Sequence, residues 1–375
     1  MLVFEPPDGG VAEHVAQLAR ALPGHGWQVT VAGPEEAAVY PQLERAGVPI
    51  ARLPIGRALR PVPYARALGM LAALARRRRP QVMHVHSSKA GAIGRLAARA
   101  TGVPVVYTPH CFAFIGPHGA RRVAATVSLE RALAALTDAI VCVADAERQE
   151  ALRRRVGRPE RLHVVRNGSP ECPQELEPDP ELAAFAAGGP LAACLTVLRA
   201  QKAVDVFLRA APRILAHVPG ARLAVIGNGP MRGPLEELHR RLGLDERVRF
   251  FDFRAPAARQ LACLDVFVLP SAWEAFPISI LEALACGVPQ VATDVGGTAE
   301  AVLDGTTGLL CPPSDSRALA DAVAELLADP DRRERMSRAS VERHRARFGM
   351  GRMVLELLKV YDEVASPSGG ATVGE

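Results

Sequence analysis

Several features that would mark a membrane, secreted or zinc-binding protein are missing from this chain of 375 residues. No apolar run approaches the ~18 residues of a membrane-spanning helix, and the nearest, LGMLAALA at 68–75, is closed by four arginines. The first residues, MLVFEPPDGG, have no basic segment followed by an apolar stretch, so no signal peptide is predicted. The seven cysteines are scattered and never spaced C-x-x-C. That argues against a disulfide framework or a zinc knuckle and predicts a reducing, cytoplasmic environment.

Charge is distributed unevenly along the chain. Residues 1–170 carry 23 Lys or Arg and 12 Asp or Glu, whereas the remainder carries 22 and 28. The net of +11 in the first half suits a nucleic acid, an anionic membrane or an anionic substrate. A nucleic-acid partner is not predicted, because the basic stretch lacks interleaved aromatic residues and no helix-turn-helix, RRM or zinc-finger pattern is present. The alternative is an arginine-rich surface that is only solvated.

Short apolar runs alternate with amphipathic stretches from end to end, as in MLVFEP followed by VAEHVAQLARAL. This rhythm predicts parallel sheets covered by helices, and hence an α/β protein. The acidic, proline-containing segment ECPQELEPDPELAAFAAG interrupts the rhythm and is interpreted as a linker. The predicted order is a first Rossmann-like domain, the linker, a second Rossmann-like domain, a C-terminal helix that packs back on the first domain, and a disordered tail. These cover residues 1–170, 171–188, 189–345, 346–365 and 366–375.

Two glycine-containing turns are candidates for a ligand site, which is expected near the carboxyl ends of the strands in the cleft between two such domains. Gly9 and Gly10 follow the first strand and precede a helix N-terminus, which suits an anion, although a plain tight turn has the same pattern. No Gly-Lys-Ser/Thr follows them, so this is not a Walker A sequence. GNGPMRG at 227–233 has the wrong spacing for the dinucleotide fingerprint and follows the second strand of its domain, so a nicotinamide site is disfavoured.

Two later stretches place charged residues near strand-to-helix turns. Arg199 and Lys202 stand beside a helix N-terminus and suit a diphosphate, the alternative being exposed surface charges. In WEAFPISILEALACG, Glu274 lies in a loop and Glu282 lies about two turns into the helix that follows. Because a carboxylate accepts hydrogen bonds from vicinal hydroxyls, the pair suits a sugar and a ribose with a phosphate at the helix start between them. The alternative is that Glu282 is a rim residue on a mostly buried helix.

These stretches together resemble a known family. Glu274-x7-Glu282, within WEAFPISILEALACGVPQVATDVGG, is similar to the hallmark segment of retaining glycosyltransferase family 4. PPDGGVAEHVAQLARAL resembles the glycine loop of that family, and GARLAVIGNGPMRGPLE with VRFFDFR resembles the middle of its donor domain. The resemblance covers nearly the whole chain and is nearest to the bacterial exopolysaccharide and cell-surface branch. It implies the GT-B fold, in which two Rossmann-like domains face each other across a cleft.

The resemblance also implies roles for individual residues. Glu274 would contact the transferred sugar, His110 would touch that sugar near the reaction centre, Arg199 and Lys202 would hold the diphosphate, and Glu282 would hold the ribose. The other positions that match donor-binding segments are Gly9, Gly10, Asp252, Arg254, Phe276, Pro277, Ile278 and Ser279. No metal or other cofactor is implied, since cations and helix dipoles take the charge of the leaving group.

The chain departs from the family pattern at several positions. Many members have Arg where Val197 stands, which leaves that role to Arg199. Members commonly have Gly where this chain has Ala203, Ala275 and Cys111. Altered donor choice or reduced activity is the expected consequence of these differences.

The resulting hypothesis is a retaining hexosyltransferase with a nucleotide-diphosphate sugar donor, UDP-linked, and a hydroxyl of a lipid-linked or cell-surface glycan as acceptor. Basic residues of the first half, Arg57, Arg60 and Arg76 to Arg79, would then contact the inner face of the cell membrane. A soluble acceptor, such as an antibiotic aglycone or an aminocyclitol, is the second hypothesis. Less favoured are a GT-B nucleotide-sugar epimerase, a non-catalytic nucleotide-sugar binder and a dehydrogenase.

Overall fold

The computed structural model describes residues 1–56 and 61–366, and the contacts divide the chain into two units. The first unit comprises Met1–Arg166 together with the C-terminal segment from Gly351 onward, and the second comprises Asn167–Met350. Each unit is built on one sheet, and every strand pair is parallel. Nearly every residue of the central strands is buried, as expected of parallel sheets with both faces covered.

The first unit contains a seven-stranded sheet in the order β3-β2-β1-β4-β5-β6-β7. Its strands are β1 (Leu2–Phe4), β2 (Val31–Pro34), β3 (Ile50–Leu53), β4 (Met83–His86), β5 (Val105–Thr108), β6 (Ala139–Cys142) and β7 (Leu162–Val164). The helices that follow them are α1 (Gly10–Ala21), α2 (Tyr40–Arg45), α3 (Pro61–Arg78), α4 (Ser88–Thr101), α5 (Ala120–Ala134) and α6 (Asp145–Arg153). The strand order reverses between β1 and β4, which makes the loops after these two strands the switch point where ligands of such sheets bind.

The second unit contains a six-stranded sheet in the order β10-β9-β8-β11-β12-β13, with the switch point between β8 and β11. Its strands are β8 (Leu191–Leu195), β9 (Arg222–Ile226), β10 (Val248–Phe251), β11 (Val266–Leu269), β12 (Gln290–Thr293) and β13 (Gly308–Cys311). Its helices are α7 (Pro180–Ala186), α8 (Val204–His217), α9 (Arg232–Arg241), α10 (Ala258–Leu261), α11 (Ile278–Ala285), α12 (Thr298–Ala301), α13 (Ser316–Ala328) and α14 (Pro330–Arg347). The last helix, α15 (Met350–Ala365), packs with the first unit.

Two segments differ from, or extend, the organisation expected from the sequence. The segment interpreted as a linker contains α7, whose Leu182 and Phe185 are buried, with the Phe185 ring 5.3 Å from that of Phe251. Asp179, one of its acidic residues, caps α7 by accepting from the amide of Leu182. At the other end of the chain, the Tyr361 hydroxyl of α15 lies 2.6 Å from Nδ1 of His84. The tail predicted from residue 366 lies outside the described residues from 367 onward.

A disulfide joins Cys172 to Cys286, with their Cα atoms 4.9 Å apart, and it is a bond that the cysteine spacing did not predict. Cys286 ends α11, whereas Cys172 lies far away in sequence, 114 residues earlier. Only the folding of the second unit brings the two together, which is why sequence spacing is uninformative here. A bond that closes a loop of this length stabilises by up to about 4–5 kcal/mol in the chain-entropy account.

The disulfide gives a direct count to test. We expect thiol titration of the denatured, unreduced protein to find five thiols, since five of the seven cysteines lie outside this disulfide. Cys172→Ser should release Cys286 and raise the number of titratable thiols, whereas the matched change Cys263→Ser, at a free cysteine, should lower it. If all seven cysteines of the wild-type chain titrate, the bond is absent.

Among the described residues, no helix combines the length and apolar character needed to cross a bilayer. The four arginines Arg76 to Arg79 at the end of α3 are exposed, whereas Arg57 and Arg60 of the predicted membrane contact lie outside the described residues.

Candidate active site

Lys202 and Glu274, which are far apart in sequence, meet at the switch point of the second sheet. The Nζ atom of Lys202 lies 2.5 Å from Oε1 of Glu274. The Ser271 hydroxyl donates to the same oxygen at 2.6 Å. The Glu274 residue is only 6% exposed, so this charge is held in a nearly dry setting. A buried ion pair with an added hydroxyl donor fixes the orientation of the carboxylate.

The two loops that carry this pair are locked together through Gln201. Its side-chain amide donates to the carbonyl of Trp273 at 2.9 Å and makes a long contact of 3.5 Å with Oε2 of Glu274. In return, the amide of Ala272 donates to the carbonyl of Gln201 at 2.8 Å. Sequence reasoning missed both Gln201 and Ser271. Gln201 is adjacent to Lys202, and Ser271 lies three residues before Glu274. Only the strand order shows that these two residues converge.

Gly296 supports the Glu274 loop from the strand on its other side. It has φ +53°, and a Cβ atom added to it would lie 1.9 Å from the carbonyl oxygen of Glu274. The next amide, that of Gly297, donates to the carbonyl of Ala275 at 2.8 Å. Gly296, the first glycine of the pair in TDVGG, is therefore required because the backbone after β12 passes directly against the backbone of the Glu274 loop.

The helix start predicted to bind phosphate is present at α11. Pro277 is its N-cap in an extended conformation, and the helix begins at Ile278. No side chain caps this end, which leaves the first amides, including those of half-buried Ile278 and Ser279, for an anion. Glu282 lies about one turn into α11, not two as expected from the sequence, and is half-buried.

Phe276, two residues before α11, is held by contacts that the sequence did not suggest. The side-chain amide of Asn167 donates to the carbonyl of Phe276 at 2.9 Å. The Phe276 ring packs 5.6 Å from that of Phe348 and is buried. Phe276 therefore supports the loop between Glu274 and α11 through the packing of its buried ring.

Asp252 and Arg254 lie further from the ion pair. They follow the edge strand β10, two strand spacings or about 10 Å from β8. Arg254 is bound to Asp179 at 3.2 Å and to Glu181 at 2.6 Å, both at the start of α7. Asp252 is largely exposed and lies 3.6 Å from Arg232. The structure thus gives Arg254 a role in anchoring α7, and it leaves Asp252 accessible.

The first two glycines of GNGPMRG have a packing reason that is independent of any dinucleotide. A Cβ atom on Gly227 would lie 2.0 Å from the carbonyl oxygen of Thr196, and one on Gly229 would lie 2.5 Å from that of Leu198. The amide of Leu198 donates to the carbonyl of Asn228 at 2.9 Å. The turn after β9 therefore buttresses the loop that leads to half-buried Arg199, the N-cap of the short 3-10 helix that ends at Lys202.

In the first unit, the predicted residues lie around the switch point of its own sheet. Gly9 is the N-cap of α1, with φ +81°, and Gly10 is the first helical residue. His110 follows β5 and has φ +52°, and the next residue, Cys111, has φ +96°. Glu147 accepts from the amide of Cys111 at 2.8 Å and holds this left-handed turn. Burial raises the pKa of Glu147 to about 7.

His110 belongs to a cluster of four histidines in the first unit. Burial lowers the pKa of His14 to about 4. Burial, reinforced by the neighbouring histidines, also holds the pKa of His84, His86 and His110 well below the usual value. All four rings are therefore neutral at physiological pH. The sequence analysis singled out only His110, because the other three come from a helix and a strand whose convergence depends on the fold.

Backbone angles separate the three positions at which family members commonly have glycine. Ala203 has φ +45° and Cys111 has φ +96°, whereas Ala275 does not have a positive φ. A left-handed conformation costs an L-residue about 1–2 kcal/mol. The first two substitutions therefore store backbone strain, and the third does not.

A stability measurement tests this distinction. We expect Ala203→Gly to raise the free energy of unfolding by about 0.5–1 kcal/mol, because relief of the left-handed strain exceeds the entropy cost of glycine. The matched change Ala275→Gly should lower it by a similar amount. Urea unfolding of the two variants and the wild type measures both effects. Equal destabilisation by both changes would contradict the strain at Ala203.

The fold and this site together define a class: two-unit α/β proteins with a phosphate-binding helix start and an ion pair at the switch point of the second sheet. Residues 9–168 match the family described as glycosyl transferase 4-like domain, and residues 189–329 match glycosyl transferases group 1. The chain belongs to this glycosyltransferase family, which confirms the resemblance found in the sequence.

Relatives and solved structures agree with this assignment. The chain is 33% identical to a D-inositol 3-phosphate glycosyltransferase of Kribbella flavida, over 72% of this chain and 68% of that protein. It is 28% identical to the alpha-D-kanosaminyltransferase of Streptomyces kanamyceticus, over 75% and 77%. The fold matches HepE of Anabaena, solved in complex with UDP, with a TM-score of 0.81 and 20% identity over 96% and 99% of the two chains. The sucrose-phosphate synthase of Thermosynechococcus elongatus matches with a TM-score of 0.82 and 22% identity, over 96% and 98%. The protein is a glycosyltransferase with the GT-B fold.

Proposed function

We propose that this glycosyltransferase moves a hexose from a nucleotide-diphosphate sugar to an acceptor hydroxyl with retention of the anomeric configuration. The observation that carries the proposal is the buried contact of Lys202 and Ser271 with Glu274 at the switch point of the second sheet. A cation and a carboxylate at this point match the two chemically different parts of such a donor, its diphosphate and its sugar.

Each group has a proposed task. An ammonium has three donors, and Lys202 uses one on Glu274, so two remain for the diphosphate. The amides at the start of α11 and the guanidinium of Arg199 would add to this anion site. On Glu274, Oε1 accepts from Lys202 and Ser271, whereas Oε2 has only the long contact with Gln201 and is proposed to accept from sugar hydroxyls.

The proposed reaction needs no side-chain base and no metal. The diphosphate would leave from the face on which the acceptor enters, and its oxygen would take the proton of the acceptor hydroxyl. Lys202, Arg199 and the dipole of α11 would stabilise the departing charge. Gly9, Gly10, His110 and Glu282 keep the donor-binding roles that the resemblance implies.

For the acceptor, we place a small polar compound before the lipid-linked or cell-surface glycan expected from the sequence. Relatives named D-inositol 3-phosphate glycosyltransferase and alpha-D-kanosaminyltransferase support this order, whereas a relative named GDP-mannose-dependent alpha-(1-6)-phosphatidylinositol monomannoside mannosyltransferase supports the lipid-linked acceptor. The net of +11 in the first half of the chain suits an acceptor that bears phosphate. The lipid-linked glycan is the second candidate, supported by the exposed arginines Arg76 to Arg79.

A thermal-shift screen followed by product analysis tests the donor. Because HepE was solved with UDP, UDP and UDP-glucose come first, with GDP-mannose and ADP-glucose beside them. A specific donor should raise the melting temperature, and NMR of the product should show retained anomeric configuration. Incubation with donor alone should give no epimer. A product with inverted anomeric configuration, or formation of an epimer from the donor alone, would contradict the proposed reaction.

Two acceptor assays separate the two candidates. Transfer to inositol 3-phosphate or an aminocyclitol in solution would support the soluble acceptor. Sedimentation with anionic liposomes that weakens as salt rises would support the membrane-linked acceptor, because electrostatic docking is screened. The double variant Arg76→Gln with Arg77→Gln should weaken binding to anionic liposomes and leave transfer to a soluble acceptor unchanged.

A further inference from the structure

Three histidines from three different segments of the first unit converge. His14 lies on α1, His86 ends β4, and His110 lies in the turn after β5. One ring nitrogen of each lies within 4.8 Å of one nitrogen of the other two. His14 and His86 are buried, and His110 is half-buried, which leaves the group an approach from solvent.

Their hydrogen bonding is incomplete, although they are buried. Nδ1 of His86 lies 3.1 Å from Nε2 of His110, but Nδ1 of His14 and Nε2 of His86 have no hydrogen-bond partner in the described structure. A buried polar atom left in this way costs about 1–3 kcal/mol and calls for a partner such as an ion. The neighbouring His84 contrasts with them, since its two nitrogens contact Tyr361 at 2.6 Å and Thr108 at 2.7 Å.

The chemistry of this donor set selects a class of ion. We propose that His14, His86 and His110 form a binding site for a first-row transition-metal dication such as Zn²⁺. Neutral imidazoles suit zinc, copper and nickel, whereas magnesium and calcium require oxygen ligands. Zinc–nitrogen bonds of about 2.0–2.1 Å place tetrahedral ligands about 3.4 Å apart, so small ring rotations from the observed separation are sufficient. A fourth position stays open for water, as in three-histidine sites.

Two features prepare the site before an ion arrives. The His84 ring lies against the His86 ring, with centroids 3.9 Å apart and planes tilted by 38°, and His84 is itself fixed by both its hydrogen bonds. The left-handed turn at His110 and Cys111 is held by Glu147 through the amide of Cys111. Ligands whose orientation is set by neighbouring groups bind metals more tightly.

The ion is expected to inhibit transfer, and this part rests on the proposed function. His110 is the residue that the resemblance places against the donor sugar, so a metal that holds its imidazole would remove it from that contact. Micromolar Zn²⁺ should therefore slow transfer, and a chelator should restore it. Millimolar Mg²⁺ should have no such effect.

Equilibrium dialysis of the untagged full chain with Zn²⁺, after chelator treatment, tests the site without any assay of activity. We expect one high-affinity Zn²⁺ per wild-type chain, and affinity at least about tenfold weaker in His14→Gln and in His86→Gln. His25→Gln, at an exposed histidine of the same unit, should bind as the wild type does. Co²⁺ should give the visible absorption of a tetrahedral site only where Zn²⁺ binds.

The possible failures are distinguishable. Circular dichroism and melting curves without metal show whether each variant is folded. If His86→Gln does not fold, His14→Gln alone provides the test of Zn²⁺ binding. Equal Zn²⁺ affinity in the wild type and both folded variants, or no binding at about 10 μM, would overturn the metal site. Binding that depends on the histidines but leaves transfer unchanged would overturn only the inhibition, and an inactive but zinc-binding protein would overturn only the proposed function.

Discussion

Lys202→Met is expected to lower kcat/KM for glycosyl transfer by at least about 10²–10³-fold. Removing one preorganised group that stabilises developing charge in other enzymes has an effect of this size. The ammonium is proposed to take part of the charge of the leaving diphosphate. It also holds Glu274 through the 2.5 Å contact. Glu274→Gln should have an effect of similar size, because it removes both the partner of Lys202 and the acceptor for sugar hydroxyls.

Stability must be measured beside the rate, because each single change leaves one charge of the pair behind. Breaking a buried ion pair costs about 3–5 kcal/mol, and the 18% exposure of the Lys202 side chain puts this site at the lower end. The double variant Lys202→Met with Glu274→Gln removes both charges and should recover most of that stability. Its transfer rate should stay as low as in the single variants.

The comparison of initial rates with urea unfolding decides the outcome. A rate that recovers together with stability in the double variant would show that the pair only supports the fold. Wild-type turnover by Glu274→Ala would show that Glu274 has no role in the reaction. Glu237→Gln, at an exposed ion pair on α9, is the matched control and should change neither quantity.

Gly296→Ala is expected to have the second-largest effect, about 10²-fold in transfer, although residue 296 carries no reactive group. The new methyl would lie 1.9 Å from the carbonyl oxygen of Glu274, so the loop must move. A shift of about 1 Å at a reacting group costs on the order of 10²-fold in rate. The positive φ adds about 1–2 kcal/mol of strain to the destabilisation.

Gly305→Ala separates these two contributions. Gly305 has φ +70°, but a Cβ atom there meets nothing within 4 Å. The Gly305→Ala variant should therefore be destabilised by left-handed strain and should keep the transfer rate of the wild type. Equal loss of activity in the two variants at matched temperature would show that destabilisation alone, without displacement of Glu274, explains the result.

Local pattern was sufficient to predict the class of fold. Alternation of apolar strands with amphipathic helices reports parallel, doubly covered sheets, because each strand must be buried on both faces. Glycine turns and charged residues at strand ends identified Lys202 and Glu274 separately. The same local reasoning did not show that residues 171–188, which were interpreted as a linker, contain the helix α7, since capping and solvation use the same residue types.

Other features depend on neighbours that are distant in sequence. The bond between Cys172 and Cys286 and the contact of Asn167 with Phe276 join segments more than a hundred residues apart. The left-handed angles at Ala203 and Cys111 could not be expected from alanine and cysteine, because neither residue favours them.

The sequence alone predicted the α/β fold class from strand periodicity, which is a local property, and its resemblance to a known family predicted a glycosyltransferase and the candidate site residues. The tertiary structure decided which of those residues meet. Lys202 reaches Glu274 because β8 and β11 are adjacent, and His14, His86 and His110 converge because the strand order reverses between β1 and β4. Strand order is set by the packing of the whole sheet and its helices, which is why no stretch of sequence contains it.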